Sequence, residues 1–376
     1  MAVEDLARPR IKPEHRGYRT DAGNIRIGGV VYGTASEIED PDGWIWDVVE
    51  SADGTRAVAE IAAAVCARHP DLGAADVAGA LEALYEAGFV EDAAAGRPAA
   101  LSEREAERYG RGMTLLRWLD TTPRASAWEA QVLLKRASVL LIGLGGTGGA
   151  VAQQLVASGV GGLHVVDDDT VSLSNLNRQL LYTEADIGRP KVEAGVSRLR
   201  ALNSHARVSG EVRRITDADG LAALLAPPRR YDLLILAADR PAHIRRWANR
   251  ACLDAGLPWV DGGYSGPLVT AGVFRPGSGP CWLCVHDGEY ESADLGLPAG
   301  VAEERATAHL PWNPVNAVTA TLSGALMTHG ALSLLTGIPA LPPGLRYGFN
   351  LSTPGDEVLL DLPRRPSCPA CADTPK

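Results

Sequence analysis

One short run of this chain collects the residue types that handle phosphates. The stretch LLIGLGGTGGAVAQQL passes from apolar residues through glycines into a helical pattern, and it satisfies GxGxxG at Gly143, Gly145 and Gly148. Gly143 permits the tight turn, Gly145 with its neighbour Gly146 lets the backbone approach a phosphate, and the helix start supplies amide hydrogens and a positive dipole. Asp167 closes the next strand, 167 − 143 = 24 positions after the first glycine, where a carboxylate can hold ribose hydroxyls. Alone, this arrangement suits NAD, FAD and ATP alike. The following residues narrow the choice. DDDTVSLSNLNRQLL and GRPKVE add Asp169, Asn175, Arg178, Gln179 and Lys191 within one site's length of chain. Hydride transfer needs no such group of cations beside the phosphates. Nucleotidyl transfer does, because charge develops on the α-phosphate and the departing pyrophosphate. The chemistry indicated is activation by ATP.

A second constellation is made of thiols. Cys281 and Cys284 form CWLC, and Cys368 and Cys371 form CPAC near the end. Two such pairs are the ligand set of a structural tetrahedral zinc, and a site of this kind would staple the C-terminal tail to the body of its domain. Two unrelated pairs, or one redox pair, are the alternative, and the missing strand-then-helix redox setting weighs against it. Cys66 and Cys252 fall in helical apolar patterns and read as packing residues. His164, His243 and His329 have no evident chemical partner and read as surface or packing residues.

The elements that must position these residues follow from periodicity. From Ser138 the pattern alternates: SVLLIG as a buried strand, the glycine turn and a helix, GLHVVDDD as a strand, YDLLILAAD as another, a helix from RPAHIRRWANRACLDAG, then the short strand PWVDGG. Such alternation gives a doubly wound parallel sheet with ligands above the carboxyl ends of its strands. PVNAVTATLSGALMTHGALSLLTG reads as a long buried helix. Upstream, NIRIGGVVYG is strand-like and is followed by three segments with helical spacing, so the N-terminal part is a small strand-then-helices unit. DAAAGRPAALSE reads as a linker.

At 376 residues the chain has room for about two domains. The net charge of −10 argues against a general nucleic-acid binder. No run approaching the ~20 apolar residues of a membrane span is visible, the N-terminus lacks a signal peptide's apolar core, and a cytoplasmic protein without membrane contact is expected.

The phosphate-handling motifs resemble those of the ubiquitin-activating-enzyme-like superfamily, the ThiF/MoeB/HesA adenylyltransferases, over roughly residues 105–371. The fold class implied is α/β, a Rossmann-like doubly wound sheet of ThiF type. By this resemblance Asp167 holds the ATP ribose, Asn175 and Arg178 contact phosphates, Lys191 stabilises their charge and Asp239 binds magnesium. Asp169 reads equally as a metal contact or a turn residue. ERYGRG resembles the family's RYxRQ motif and makes Arg111 an arginine finger reaching into a partner subunit, so a homodimer is implied. Here Gly112 stands in place of the family's glutamine. The two CxxC pairs match the family's zinc position. The segment after the first pair, VHDGEYESADLGLPAGVAEERATAHLPWN, has no cysteine for self-transfer, so the reaction is expected to stop at an acyl adenylate or to pass it directly to an external nucleophile.

Residues 17–92 resemble the PqqD-like peptide-recognition fold, a small winged-helix-like α+β domain in which a leader peptide adds a strand to the sheet. A DNA-binding winged helix is the competing reading, weakened by acidic helices. The expected docking groove lies between the strand around Ile25 to Tyr32 and the helix from Ala74 to Ala87. The domain plan is therefore residues 1–95 for leader recognition, 96–110 as linker, and 111–376 as the adenylyltransferase with its zinc staple. The function implied is ATP- and Mg²⁺-dependent adenylation of a carboxylate on a ribosomally made precursor peptide, with another biosynthetic enzyme as a possible partner. The alternatives are a leader-binding adaptor for a separate cyclodehydratase, or an activator of a ubiquitin-like sulfur carrier.

Overall fold

The computed structural model describes residues 2–31, 33–124, 126–292, 310 and 312–372. The chain forms two compact units, Met1–Leu133 and Leu134–Lys376.

The first unit runs β1 (Pro9–Ile11), β2 (Tyr18–Arg19), β3 (Ile25–Ile27), β4 (Ser36–Ile38), α1 (Trp44–Ser51), α2 (Val58–Arg68), α3 (Ala74–Glu86), β5 (Val90–Asp92) and α4 (Glu103–Leu119), and the chain leaves it within α5 (Glu129–Arg136). Strands β1 and β5 pair antiparallel, and β2, β3 and β4 form a separate three-stranded sheet. Helical spacing puts Val48, Ile61, Val65, Val77, Leu81 and Tyr85 on inward faces, where they close over Ile27. The buried Asp40 starts α1 by accepting the amides of Ile45 at 3.1 Å and Trp46 at 3.0 Å. The sequence SERE starts α4 with a reciprocal cap between Ser102 and Glu105.

One expectation is corrected here. Strand β3 covers only Ile25–Ile27 and has β2 on one edge and β4 on the other, so no peptide strand can add to it. The open edges belong to β2 and β4; Tyr32 lies outside the described residues.

The second unit holds an eight-stranded mixed sheet. Its elements are β6 (Ser138–Ile142), α6 (Gly146–Ala157), β7 (Gly162–Asp167), α7 (Lys191–Leu202), β8 (Arg207–Val212), α8 (Ala218–Leu225), β9 (Leu233–Leu236), α9 (Ile244–Ala255), β10 (Trp259–Ser265), β11 (Leu268–Phe274), α10 (Trp282–Ser292), α11 (Ala317–Thr336), β12 (Arg346–Asn350) and β13 (Glu357–Leu360). The strand order is β13-β12-β11-β10-β9-β6-β7-β8. Strands β8, β7, β6, β9 and β10 are parallel, and β11 to β13 extend the sheet antiparallel. The central strands VLLI and LLIL are buried throughout, as a parallel sheet covered on both faces requires. Sequence periodicity identifies β6, β7, β9 and β10 but not β8 or the antiparallel extension.

From β6 the chain winds outward to β7 and β8, then returns to β9 and winds the other way to β10. The crevice beyond the carboxyl ends of β6 and β9 is therefore the topological switch point, where doubly wound sheets bind ligands.

Helix α11, expected as a long buried helix, is 20 residues long and apolar enough by length and composition to cross a membrane, with a mean hydropathy of 1.3 over its most apolar stretch, half of which is buried in the protein. It packs against α6, β10 and β11. Small residues allow that approach. A Cβ on Gly324 would lie 2.6 Å from the Ala150 Cβ, and Ser323 and Thr147 share a buried hydroxyl contact of 2.9 Å.

Candidate nucleotide site

The glycine turn occupies the switch point. The amide of Gly143 bonds the Val166 carbonyl at 2.8 Å, and that of Ala237 bonds the Ile142 carbonyl at the same distance, so the loops after β6 and β9 leave the sheet side by side. Gly143 adopts a φ of 93°, and a Cβ there would meet the Ala237 carbonyl at 2.8 Å. Gly148 is equally constrained, since its Cβ would fall 1.9 Å from the Gly143 oxygen. Gly145 differs: a Cβ on it meets only the Gln179 side-chain amide, at 3.7 Å, so this glycine faces open space above the start of α6. Gly146 lies against Arg178, whose Cγ would sit 3.4 Å from its Cβ.

Asp167 ends β7 beside this turn. Its carboxylate accepts the amide of Leu144 at 2.6 Å on one oxygen and that of Asp169 at 2.8 Å on the other. Fixed by backbone on both sides, it keeps lone pairs for hydroxyl donors. Gln179 is buried at 4 % exposure, and its Oε1 has no partner among the described residues. An unpaired buried amide oxygen costs roughly 1–3 kcal/mol unless a ligand or water meets it. Open space at Gly145, the amides at the start of α6 and the Gln179 side-chain NH2 beside Gly145 fit a bound phosphate chain, while the unpaired Gln179 Oε1 needs a donor such as a hydroxyl or water.

The cations divide into two. Lys191, the first residue of α7, is buried and donates from Nζ to Asp169 at 2.7 Å, while its own amide bonds the Asp169 carbonyl at 2.9 Å. Arg178 donates to the Ser174 carbonyl and to Asn177, both at 3.0 Å, and its charge acts on the phenol of Tyr264 on β10. Burial raises the Tyr264 phenol pKa, against the lowering effect of Arg178. Asn175 spends its Oδ1 on the Ser172 amide at 3.0 Å, a turn-closing role. Asp239 is exposed on the loop after β9, and its charge reaches both Tyr264 and Arg245. An oxygen donor there suits a hard divalent cation such as Mg²⁺. Arg111 is exposed on α4 in the first unit.

Three residues near Asp239 escape the sequence reading: Tyr264, Arg245 and the buried Asp261. The aspartate was detectable, since PWVDGG places a charge inside an apolar strand, a position that demands partners.

The four cysteines converge. The Sγ separations are 3.7 Å for Cys281–Cys368, 3.6 Å for Cys284–Cys371 and 3.9 Å for Cys281–Cys284, and all four are buried. Sulfurs at ~2.3 Å from a tetrahedral zinc stand ~3.8 Å apart, so the cluster has the size and donor set of such a site. The Arg365 amide points at Cys284 Sγ from 3.5 Å, and Asn249 Nδ2 at Cys281 Sγ from 3.6 Å, as donors around metal-bound thiolates do.

Residues 122–370 match the ThiF family model. The chain belongs to the ThiF family. It is an ATP-dependent adenylyltransferase. Over 279 residues it is 34% identical to the sulfur carrier protein adenylyltransferase of Thermus thermophilus, covering 73% of this chain and 93% of that one. Over 205 residues it is 37% identical to the molybdopterin-synthase adenylyltransferase of Escherichia coli, covering 54% and 77% respectively. Among solved structures, that of E. coli MccB is similar over 98% of both chains with a TM-score of 0.76; at 21% identity, this likeness concerns the fold. MccB, described as a microcin C7 biosynthetic enzyme, has also been solved with ATP and with N-formylated MccA.

Proposed function

We propose that this ThiF-family enzyme adenylates a carboxylate on a ribosomally made precursor peptide, which it selects through its first unit. The observation that carries this reading is the extent of the likeness to MccB. That likeness takes in 98% of the chain and so includes the first unit, whereas the match to the Thermus sulfur-carrier enzyme covers 73%. The first unit offers β4 as an open sheet edge to which an extended peptide can add by backbone hydrogen bonds. Residues 1–95 are then the recognition segment within the first unit, and 96–110, expected as a linker, enter helix α4 of that same unit at Glu103.

In the reaction a substrate carboxylate oxygen attacks the α-phosphorus of ATP, the bond to the β-phosphate oxygen breaks, and pyrophosphate leaves with an acyl adenylate remaining. Asp167 holds the ribose, and the amides at Gly145, Gly146 and Gly148, with Asn175 and Gln179, line the phosphates. Arg178 and Lys191 balance the charge that builds on the α-phosphate and the leaving group, Lys191 exchanging Asp169 for phosphate oxygen. Mg²⁺ at Asp239 supplies further neutralisation of the phosphate oxygens when bound. Zinc at Cys281, Cys284, Cys368 and Cys371 is structural, and Arg111 acts across a homodimer. With no cysteine in residues 285–313, the adenylate goes to an external nucleophile; part of that segment, 293–309 and 311, lies outside the described residues.

A second reading is activation of a ubiquitin-like sulfur carrier, favoured by the 34% identity to the Thermus enzyme along 93% of its length. Pyrophosphate exchange with the full chain, ATP and Mg²⁺ separates the two, with Arg178→Ala as the blank. Exchange is expected with a leader-bearing precursor encoded nearby and not with its core segment alone. Exchange with an isolated carrier protein, and none with any leader-bearing peptide, would establish the second reading.

A further inference from the structure

Asp261 is 1 % exposed on β10 and carries three donors. Arg245 Nε reaches Oδ1 at 2.9 Å, while Trp282 Nε1 at 2.9 Å and Arg346 Nη2 at 3.4 Å share Oδ2. One buried carboxylate thus serves two arginines, and the second arginine has Glu289 at 3.8 Å as a further counter-charge. Among the described residues Arg245 pairs with no second buried carboxylate. The other anion acting on it is Asp239, exposed on the loop where the site opens.

The geometry at Arg245 resembles a held fork. Its Nε is spent on Asp261, its side chain keeps 29 % of its surface exposed, and its Nη2 lies 4.0 Å from where Gly263 would carry a Cβ, so the glycine leaves room beside that nitrogen. A guanidinium fixed this way presents parallel N–H groups to an oxyanion. The sheet order indicates which one. With the ribose at the end of β7 and the phosphates over the turn after β6, the adjacent strands β9 and then β10 lie on the side away from the nucleoside. That side belongs to the acyl group.

We propose that Asp261 is a positioning residue for the acyl half of the site, holding Arg245 so that its outer nitrogens receive the substrate carboxylate and then the oxygens of the acyl phosphate. The proposal rests on the adenylation reading and on the ribose lying at Asp167. Carboxylate and α-phosphate are both anions, and a fixed guanidinium between them offsets their repulsion as the bond forms. Trp282 and Asn249 connect this arrangement to the thiol cluster. Asn249 stands one turn after Arg245 on α9 and accepts the Trp282 amide at 3.1 Å, and Trp282 itself follows Cys281.

The test uses the full chain and three small probes, ATP, AMP and the acyl-adenylate mimic glycyl-sulfamoyl-adenosine, titrated calorimetrically. Asp261→Asn keeps an acceptor for Arg245 but loses the charge. It should weaken the mimic about tenfold while changing ATP affinity less than about twofold. Arg245→Ala should do the same, and the double variant should lose no more than either single one, since both act through one group. Arg245→Lys keeps the charge without the fork and should also lose the mimic, which keeps the test decisive if Asp261→Asn does not fold. Variants that bind the mimic as wild type does, or losses that simply add in the double variant, would overturn the proposal. A wild type that does not prefer the mimic to AMP would instead remove the nucleotide placement, and the proposal with it.

Discussion

Replacing Asp167 by asparagine measures how far one carboxylate sets nucleotide affinity, because both its oxygens already accept backbone amides, from Leu144 and Asp169. In the asparagine variant one of those amides faces another donor, and a lost charge-assisted bond of this kind is worth about 1.5–3 kcal/mol. ATP affinity should fall about tenfold or more with a modest loss of thermal stability, read by calorimetric titration beside a melting curve. Unchanged affinity would remove Asp167 from the ribose. This residue was legible in the sequence because its neighbours in space are its neighbours in the chain: Asp167, Asn175, Arg178, Gln179 and Lys191 all lie between the end of β7 and the start of α7. The meeting of Arg245, Asp261, Trp282 and Arg346 was not, although Asp261 alone stands out as a charge in an apolar strand, because it depends on strand β10, two helices and β12 being folded together across as many as 85 positions. Spacing rules describe a loop well and a tertiary charge cluster poorly.

Elements carry the same contrast. The buried strands β6 and β9 announce themselves as unbroken apolar runs, whereas β8, at the sheet edge, buries little beyond Val208 and so reads as polar loop. Strands β12 and β13, short and half-exposed, show little in composition, whereas β11, LVTAGVF, has the apolar make-up of a strand and still escapes the sequence reading. The thiol cluster brings Cys368 and Cys371 of the tail to Cys281 and Cys284 at the start of α10, a helix that the sequence periodicity does not identify. Burial pushes the Cys284 thiol up to about 11 and the Cys281 thiol higher than its ordinary value. Zinc must therefore displace protons from buried thiols, and its affinity should fall as the pH is lowered. Metal analysis of reduced protein is expected to give one zinc per chain. Cys368→Ser should lower that content and the melting temperature together, and it should open the tail to limited proteolysis. Metal-free protein with an unchanged melting curve would make the four cysteines a packing cluster only.

At the scale of the whole molecule Arg111 is the residue to test, since it is exposed on α4 of the first unit while Arg178, Lys191 and Asp239 belong to the second. Boundaries are the part of a domain plan that sequence shows least. Composition suggests a linker in the alanine-rich stretch, but the chain divides after Leu133, and the packing that gives α4 to the first unit depends on Lys12 Nζ meeting the Asp120 carbonyl at 2.7 Å and on Arg117 pairing with Glu14 and Glu91. If Arg111 serves the site of a second copy, each active site of a homodimer is made from two chains. Arg111→Ala and Asp239→Ala proteins should then each be inactive in pyrophosphate exchange. Mixing them with subunit exchange should restore activity, because half of the dimers formed at random contain one site with both residues intact, roughly a quarter of the wild-type sites. Covalently fused dimers carrying one variant in each half give the same readout without relying on exchange. If Arg111 acts within its own chain, every site in the mixture lacks one of the two residues and no activity returns. If it is a surface charge with no role, the Arg111→Ala protein is active before anything is mixed. Three readings of one exposed arginine thus give three different results from the same pair of proteins.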